Sequence, residues 1–182
     1  MEGRGLFTGR PVRLRLSPAE PNTGLVFRRV DLCAGATVQA TVQSVAKRFQ
    51  RTALANGEVA VETVEHLLSA LAGLGIDNVE AELDAPELPA CDGSAADYVR
   101  LLRQAGIVDQ DAERPVLAIV EPVTVQDGQT VIAALPGPPG ELSLTYHLDY
   151  GSDAPIPPQM FHLDLTPDAF VEQLAASRTF IM

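Results

Sequence analysis

Thr63-Val64-Glu65-His66-Leu67-Leu68-Ser69-Ala70-Leu71-Ala72-Gly73-Leu74-Gly75-Ile76-Asp77-Asn78-Val79-Glu80-Ala81-Glu82-Leu83-Asp84 changes its period halfway, and that change decides the fold class. Val64, Leu67, Leu68 and Leu71 recur at i, i+3, i+4 and i+7, the single apolar stripe of a helix. Thr63 stands where an N-cap is expected, and Gly73 or Gly75 where the helix stops. From Asn78 the period is two. Val79, Ala81 and Leu83 point inward, while Glu80, Glu82 and Asp84 form a wet outer face.

Working outward, the pattern keeps strands and helices in separate runs. Upstream, Val12, Leu14 and Leu16 alternate with polar residues. Gly24–Val30 and Thr37–Val45 read the same way, and Asn56-Gly57 marks a turn before a short strand at Glu58–Val61. Downstream, a second helix opens at Ser94. Ser94 and Asp97 have the spacing of a capping box, Tyr98, Leu101, Leu102 and Ala105 supply the stripe, and Gly106 ends it. Residues 108–114 are polar and aperiodic and read as a linker. Strand patterns resume at Val116–Val125, Thr130–Leu135 and Leu142–Leu148, with Asp127-Gly128 as a hairpin turn. Thr166-Pro167 then caps a third helix carrying Phe170, Val171, Leu174 and Ala175. Segregated runs argue an α+β fold, not a doubly wound sheet. The second half repeats the strands-then-helix opening of the first. The expectation is a first domain over residues 1–111 and the start of a second over 112–182, incomplete.

A hydrophobic content of 46% over 182 residues suffices for a packed core. The net charge of −11 repels phosphate backbones and argues against a nucleic-acid partner. Arg28-Arg29 and Lys47-Arg48 with Arg51 are the only basic clusters, and they read as solvated strand edges and loops. Cys33 and Cys91 make neither a C-x-x-C pair nor a disulfide framework, which suits a reducing cytoplasm. Met1-Glu2-Gly3-Arg4-Gly5 lacks the apolar core of a signal peptide, and no apolar run has the length of a membrane span. Lys47 is the only lysine, a poor basis for Schiff-base chemistry.

Chemistry concentrates at Glu65-His66. The chain has three histidines, so few groups besides His66 can run metal or acid–base chemistry. In the first turn of a helix the positive end favours a carboxylate and disfavours an imidazolium, which biases His66 to its neutral, metal-binding form. Around the helix, His66 is trailed by Ala70 and Gly73, and Glu65 by Ser69 and Ala72, small residues that let a substrate or a second layer approach. A metal ligand beside a general base is one reading, and a helix-terminal histidine bonded to a loop carbonyl is the other. This is not the H-E-x-x-H signature, since Ala70 stands four residues after His66. His147 and His162 read as strand residues with satisfied imidazoles. Gly3-x-Gly5 follows no strand, which disfavours a dinucleotide fingerprint, and Asp92-Gly93-Ser94 reads as a turn and cap, not a nucleophile.

Five blocks together resemble one family. They are Gly3-Arg4-Gly5-Leu6-Phe7-Thr8-Gly9-Arg10-Pro11-Val12, Pro21 to Leu32, Thr63 to Asn78, Pro86-Glu87-Leu88-Pro89 with Asp92-Gly93-Ser94-Ala95-Ala96, and Ser177-Arg178-Thr179-Phe180. In order and spacing they resemble the zinc-dependent UDP-3-O-acyl-N-acetylglucosamine deacetylases of lipid A biosynthesis. The resemblance implies two similar two-layer α+β sandwich domains with the active site between their layers. It implies removal of the N-acetyl group from a UDP-linked, acylated glucosamine in the cytoplasm of a Gram-negative cell. By resemblance, Glu65 matches the general base and His66 a zinc ligand. Thr179 matches a residue that steadies the oxyanion, and Phe180 one near the acyl-chain passage. Phe7 stands where many members have histidine. The other zinc ligands of the family come from a His-Lys-x-x-x-Asp motif that these 182 residues do not contain. The expectation is therefore a second domain cut short. The alternative is a non-catalytic binding module or inactive fragment, and open sheet edges in an unfinished domain invite self-association.

Overall fold

The computed structural model describes residues 1–33 and 35–178. Two strands at the start, β1 (Glu2–Arg4) and β2 (Pro11–Pro18), pair antiparallel with Gly3 opposite Val12. The alternation in β2 buries Val12 and Leu14 and leaves Arg13 and Arg15 in water. Next come β3 (Leu25–Arg29) and β4 (Thr37–Gln39). The single strand expected over Thr37–Val45 is broken. A 3-10 turn at Val42–Ser44 redirects the chain into β5 (Val45–Ala46), which joins a different sheet. A strand not expected from the sequence, β6 (Ala53–Asn56), makes a hairpin with β7 (Val59–Glu62) around Asn56-Gly57. Ala53-Leu54-Ala55 carries no β-branched residue and gave no local signal; burial of Ala53 and Leu54 holds it in place.

Helix α1 (Glu65–Gly73) leads to β8 (Val79–Leu83), and α2 (Ala96–Ala105) follows. The larger sheet runs β1-β2-β8-β3-β4. β8 pairs antiparallel with β2 and parallel with β3, so the strand leaving α1 is inserted at the centre. Val79, Ala81 and Leu83 are buried as the alternation predicts, while Glu80 and Glu82 meet Arg28 and Arg15 on the outer face. The smaller sheet is β5-β6-β7. The architecture is α+β.

Both helices depart from their expected stripes in detail. On α1 the buried set is Leu67, Ala70, Leu71 and Gly73, with Leu68 only half-buried. The small residues behind His66 are covered, since Ala70 is buried and a Cβ on Gly73 would sit at most 2.5 Å from three atoms of the Phe170 ring, whereas Ser69 is half-buried and Ala72 exposed. On α2 the buried residues are Tyr98, Val99 and Leu102, whereas Leu101 is half-buried and Ala105 exposed. The cause is a tertiary neighbour, since the Ala95 N–H donates to the Ala175 carbonyl at 3.0 Å and brings that segment onto the Val99 side.

Contacts divide the chain into two units, residues 1–112 with 170–182 and residues 113–169. The second unit holds two hairpins. β9 (Val123–Asp127) pairs with β10 (Thr130–Ala134) across the expected Asp127-Gly128 turn, and β11 (Ser143–Leu148) with β12 (Gln159–Asp164). The strand expected from Val116 begins only at Val123. Residues 116–120 all lie at the exposed surface, and their apolar run joins no ladder. In α3 (Pro167–Gln173) proline is the first helical residue and the Thr166 hydroxyl accepts from the Ala169 N–H at 3.1 Å, as the cap pattern predicts. Among the described residues no helix is long and apolar enough to cross a membrane.

Candidate metal and base site

The turn that delivers Glu65 and His66 is built from backbone bonds to two loops. The Thr63 N–H donates to the Thr52 carbonyl at 2.8 Å, and the Glu62 N–H to the Pro86 carbonyl at 2.8 Å. Thr63 itself takes a left-handed φ of +58°. It is therefore not the N-cap. That position falls to Val64, which offers no side-chain cap. The Thr63 hydroxyl is committed elsewhere and donates to Glu87 Oε1 at 2.9 Å.

Glu65 opens α1, and its Oε2 accepts from the Thr52 N–H at 3.2 Å. His66 is half-buried on the next position. Among the described residues its imidazole makes no hydrogen bond, so the loop-carbonyl reading has no partner there. Arg51, one residue before Thr52, pairs with Glu62 at 2.8 Å and stacks its guanidinium 4.3 Å from the Phe7 ring centroid.

The residue that sequence reasoning missed is Glu87. It is fully buried, yet charged. Its Oε1 accepts from the Phe7 N–H at 2.9 Å as well as from Thr63, and its Oε2 accepts from the Thr8 N–H and Thr8 hydroxyl, each at 2.8 Å. Burial alone would raise its pKa, but the two N–H groups and two hydroxyls outweigh burial and hold the carboxyl below its ordinary range. Gly5 is required beside it, because any Cβ there would collide with Glu87 Oε2. The only local signal was an acid confined between Pro86 and Pro89 in an apolar context.

Other groups are accounted for. Tyr98 is buried and donates to the Pro89 carbonyl at 2.5 Å; burial first, then nearby negative charge, pushes its phenol well above the usual range. Ser94 donates to Asp92 Oδ1 at 2.6 Å and accepts from the Ala96 N–H, and Asp97 turns to Arg100, so the expected capping box is instead an Asp92-centred turn. Ser94 is thus a turn residue. The basic clusters are paired: Arg28 with Glu80, Arg29 with Asp31, and Arg48 and Arg51 with Glu62. In the second unit, His162 lies on β12 with its Nδ1 2.8 Å from the Thr145 hydroxyl, and His147 lies on β11. Thr179 and Phe180 lie outside the described residues.

A catalytic zinc usually takes three protein ligands and keeps one position open. Among the described residues no three of His, Cys, Asp or Glu gather in a metal-holding group. His66 is one donor, so the described residues do not by themselves fit a complete zinc site.

The chain as a whole is similar to known proteins. The family model LpxC, UDP-3-O-acyl N-acetylglycosamine deacetylase, matches residues 1–182. The chain is similar to UDP-3-O-acyl-N-acetylglucosamine deacetylases from Pseudomonas entomophila, 41% identical over 181 residues, and Legionella pneumophila strain Corby, 40% identical over 181 residues. A relative of the same name from Cellvibrio japonicus is 38% identical over 178 residues. Each match takes in 98% of this chain but 58% of the relative, so the chain spans a little over half the length of these proteins. With a match that runs from the glycine loop through the Glu65-His66 turn to the last residues, the chain belongs to the LpxC family of UDP-3-O-acyl N-acetylglycosamine deacetylases.

Proposed function

We propose that this chain carries the general base and one metal ligand of a zinc-dependent amide hydrolase. Its substrate is a UDP-linked, 3-O-acylated N-acetylglucosamine, its reaction the removal of the acetyl group in lipid A biosynthesis, and its setting the cytoplasm. The observation that carries the reading is the Glu65 carboxylate, anchored by the Thr52 N–H at the mouth of α1, directly before His66. Family membership supports the substrate class.

Glu65 accepts the proton of the attacking water, and by the family's pattern a histidine outside these 182 residues gives a proton to the leaving amine. Anchoring through Oε2 fixes the side chain while Oε1 makes no bond among the described residues. His66, the next residue on α1, offers an imidazole nitrogen as metal donor. Zinc, when bound, would polarise the amide carbonyl and acidify water. Two further donors must come from residues outside those described. In this reading Thr179 steadies the oxyanion and Phe180 lies by the acyl chain, the roles their family block implies. Residues 1–111 form the first domain and 112 onwards opens a second of similar build. The β9–β10 and β11–β12 hairpins are both two-stranded, and their unpaired edges with exposed Val125, Ile132 and Tyr146 favour self-association.

The test is zinc per chain and deacetylation of the UDP-sugar by a protein that carries this chain together with the two further metal donors, beside His66→Ala and Glu65→Ala. Zinc lost in His66→Ala, with turnover lost and zinc kept in Glu65→Ala, is the expected result. Neither zinc nor turnover in the unaltered protein overturns the reading and leaves a non-catalytic binding module.

A further inference from the structure

The Gly5–Gly9 loop and the start of α1 meet at one buried carboxylate, and this has a consequence for the reactive pair. Glu87 has four acceptor positions, and all four are used. Two go to the loop backbone, Phe7 N–H on Oε1 and Thr8 N–H on Oε2. One goes to the Thr8 hydroxyl, and one, from Oε1, to Thr63 two residues before Glu65. The flanking backbone is locked as well, with Glu62 N–H on the Pro86 carbonyl and Leu88 N–H on the Glu62 carbonyl. Thr63 occupies a left-handed conformation that a β-branched residue adopts only when its surroundings impose it. An apolar side chain in place of Glu87 would strip the buried Thr63 hydroxyl and three part-buried loop donors of their acceptor.

We infer that Glu87 is a positioning residue: it clamps the Leu6-Phe7-Thr8 loop to Thr63 and thereby sets the direction in which α1 presents Glu65 and His66. This rests on the reading of Glu65 and His66 as the reactive pair. The clamp has two separable arms. Loop order depends on the Phe7 and Thr8 bonds, and presentation of the pair depends on the Thr63 bond.

Two variants separate the arms. In Glu87→Gln one end of the side chain becomes an NH2 group facing the Phe7 or Thr8 N–H, so the loop arm fails, and loss of the charge weakens the Thr63 bond. In Thr63→Val the shape is kept and only the hydroxyl is lost, so the loop arm stays intact. The first readout is amide exchange at Phe7 and Thr8, against Leu14 and Val79 in the sheet. The second is the NMR signal of the His66 imidazole, with kcat and KM wherever turnover is present. Glu87→Gln is expected to speed loop exchange about tenfold or more with the sheet unchanged, and to shift the His66 signal. Thr63→Val is expected to shift the His66 signal with loop exchange unchanged. Where turnover is present, both lower kcat on the order of ten- to a hundredfold at nearly constant KM, the mark of misorientation. Exchange rising in step across loop and sheet, or a His66 signal unmoved in Thr63→Val, overturns the inference. Absence of turnover in the unaltered protein counts against the deacetylase reading alone, since the exchange and imidazole readouts still decide on the clamp.

Discussion

Gly73→Ala tests how closely Phe170 of α3 is seated on α1. The added Cβ would lie at most 2.5 Å from Phe170 Cγ, Cδ1 and Cε1, whereas carbon atoms rest at about 3.5–4.0 Å. The ring must therefore retreat by about 1 Å or more. It has little room, because Phe170 is only 2% exposed. Overpacking of this kind costs about 1–3 kcal/mol. Alanine recovers up to about 1 kcal/mol over glycine in a helix, and less here because Gly73 is the last helical residue. The net expectation is a loss of about 1–2 kcal/mol. The control is Phe170→Ala, which by itself should cost about 3–5 kcal/mol as a cavity. In that background the clash is gone, and Gly73→Ala should become neutral or slightly stabilising. Urea denaturation of the four proteins, followed by far-UV circular dichroism, gives a coupling of about 2 kcal/mol if the contact is as described. A Gly73→Ala protein as stable as its parent refutes the packing, as does a cost that persists once Phe170 is removed.

Three further outcomes are expected. Glu87 has a folded pKa below its unfolded value, so its stabilisation is complete above the ordinary carboxylate range of about pH 4.3 and is lost as pH falls through the folded value; acid titration of Glu87→Gln should show a shallower loss of stability below that range. Tyr98→Phe removes the buried bond to the Pro89 carbonyl and should cost about 1–2 kcal/mol in urea denaturation, and in the parent the phenolate absorbance of Tyr98 should appear only as the protein unfolds in alkali. Glu65→Gln keeps the shape and the helix but removes the base; kcat for amide hydrolysis should fall about 10²–10⁴-fold with the thermal midpoint nearly unchanged, and a variant that retains its rate would exclude Glu65 as the base.

The α+β class, β2, β8, both long helices and two hairpin turns were legible because each rests on local signals. Apolar period separates helix from strand, and Asn56-Gly57 and Asp127-Gly128 need no tertiary partner to turn. β6 was not legible, since Ala53-Leu54-Ala55 has no strand-favouring chemistry and pairs only because β5 and β7 flank it. The strand expected over Val116–Val125 formed only from Val123, for the converse reason that the apolar run before it has no ladder beside it. The Glu65-His66 pair stood out as an acid beside an imidazole at a helix start. The support beneath it did not, because Glu87 is distant from the glycine loop by about eighty positions in sequence.

By itself the sequence determined the family, the class of fold and the place on the chain where base and imidazole stand together, since all three are written in residue order and short-range spacing. Only the tertiary structure decided what surrounds them. It took Thr63 from the cap position to a hydrogen bond with Glu87, turned the buried stripe of α2 from Leu101 to Val99, and set Phe170 against Gly73 of α1. Each of those outcomes depends on a partner far away in sequence. A hydroxyl or a methyl group takes its role from whichever donor, acceptor or surface the folded chain brings to it.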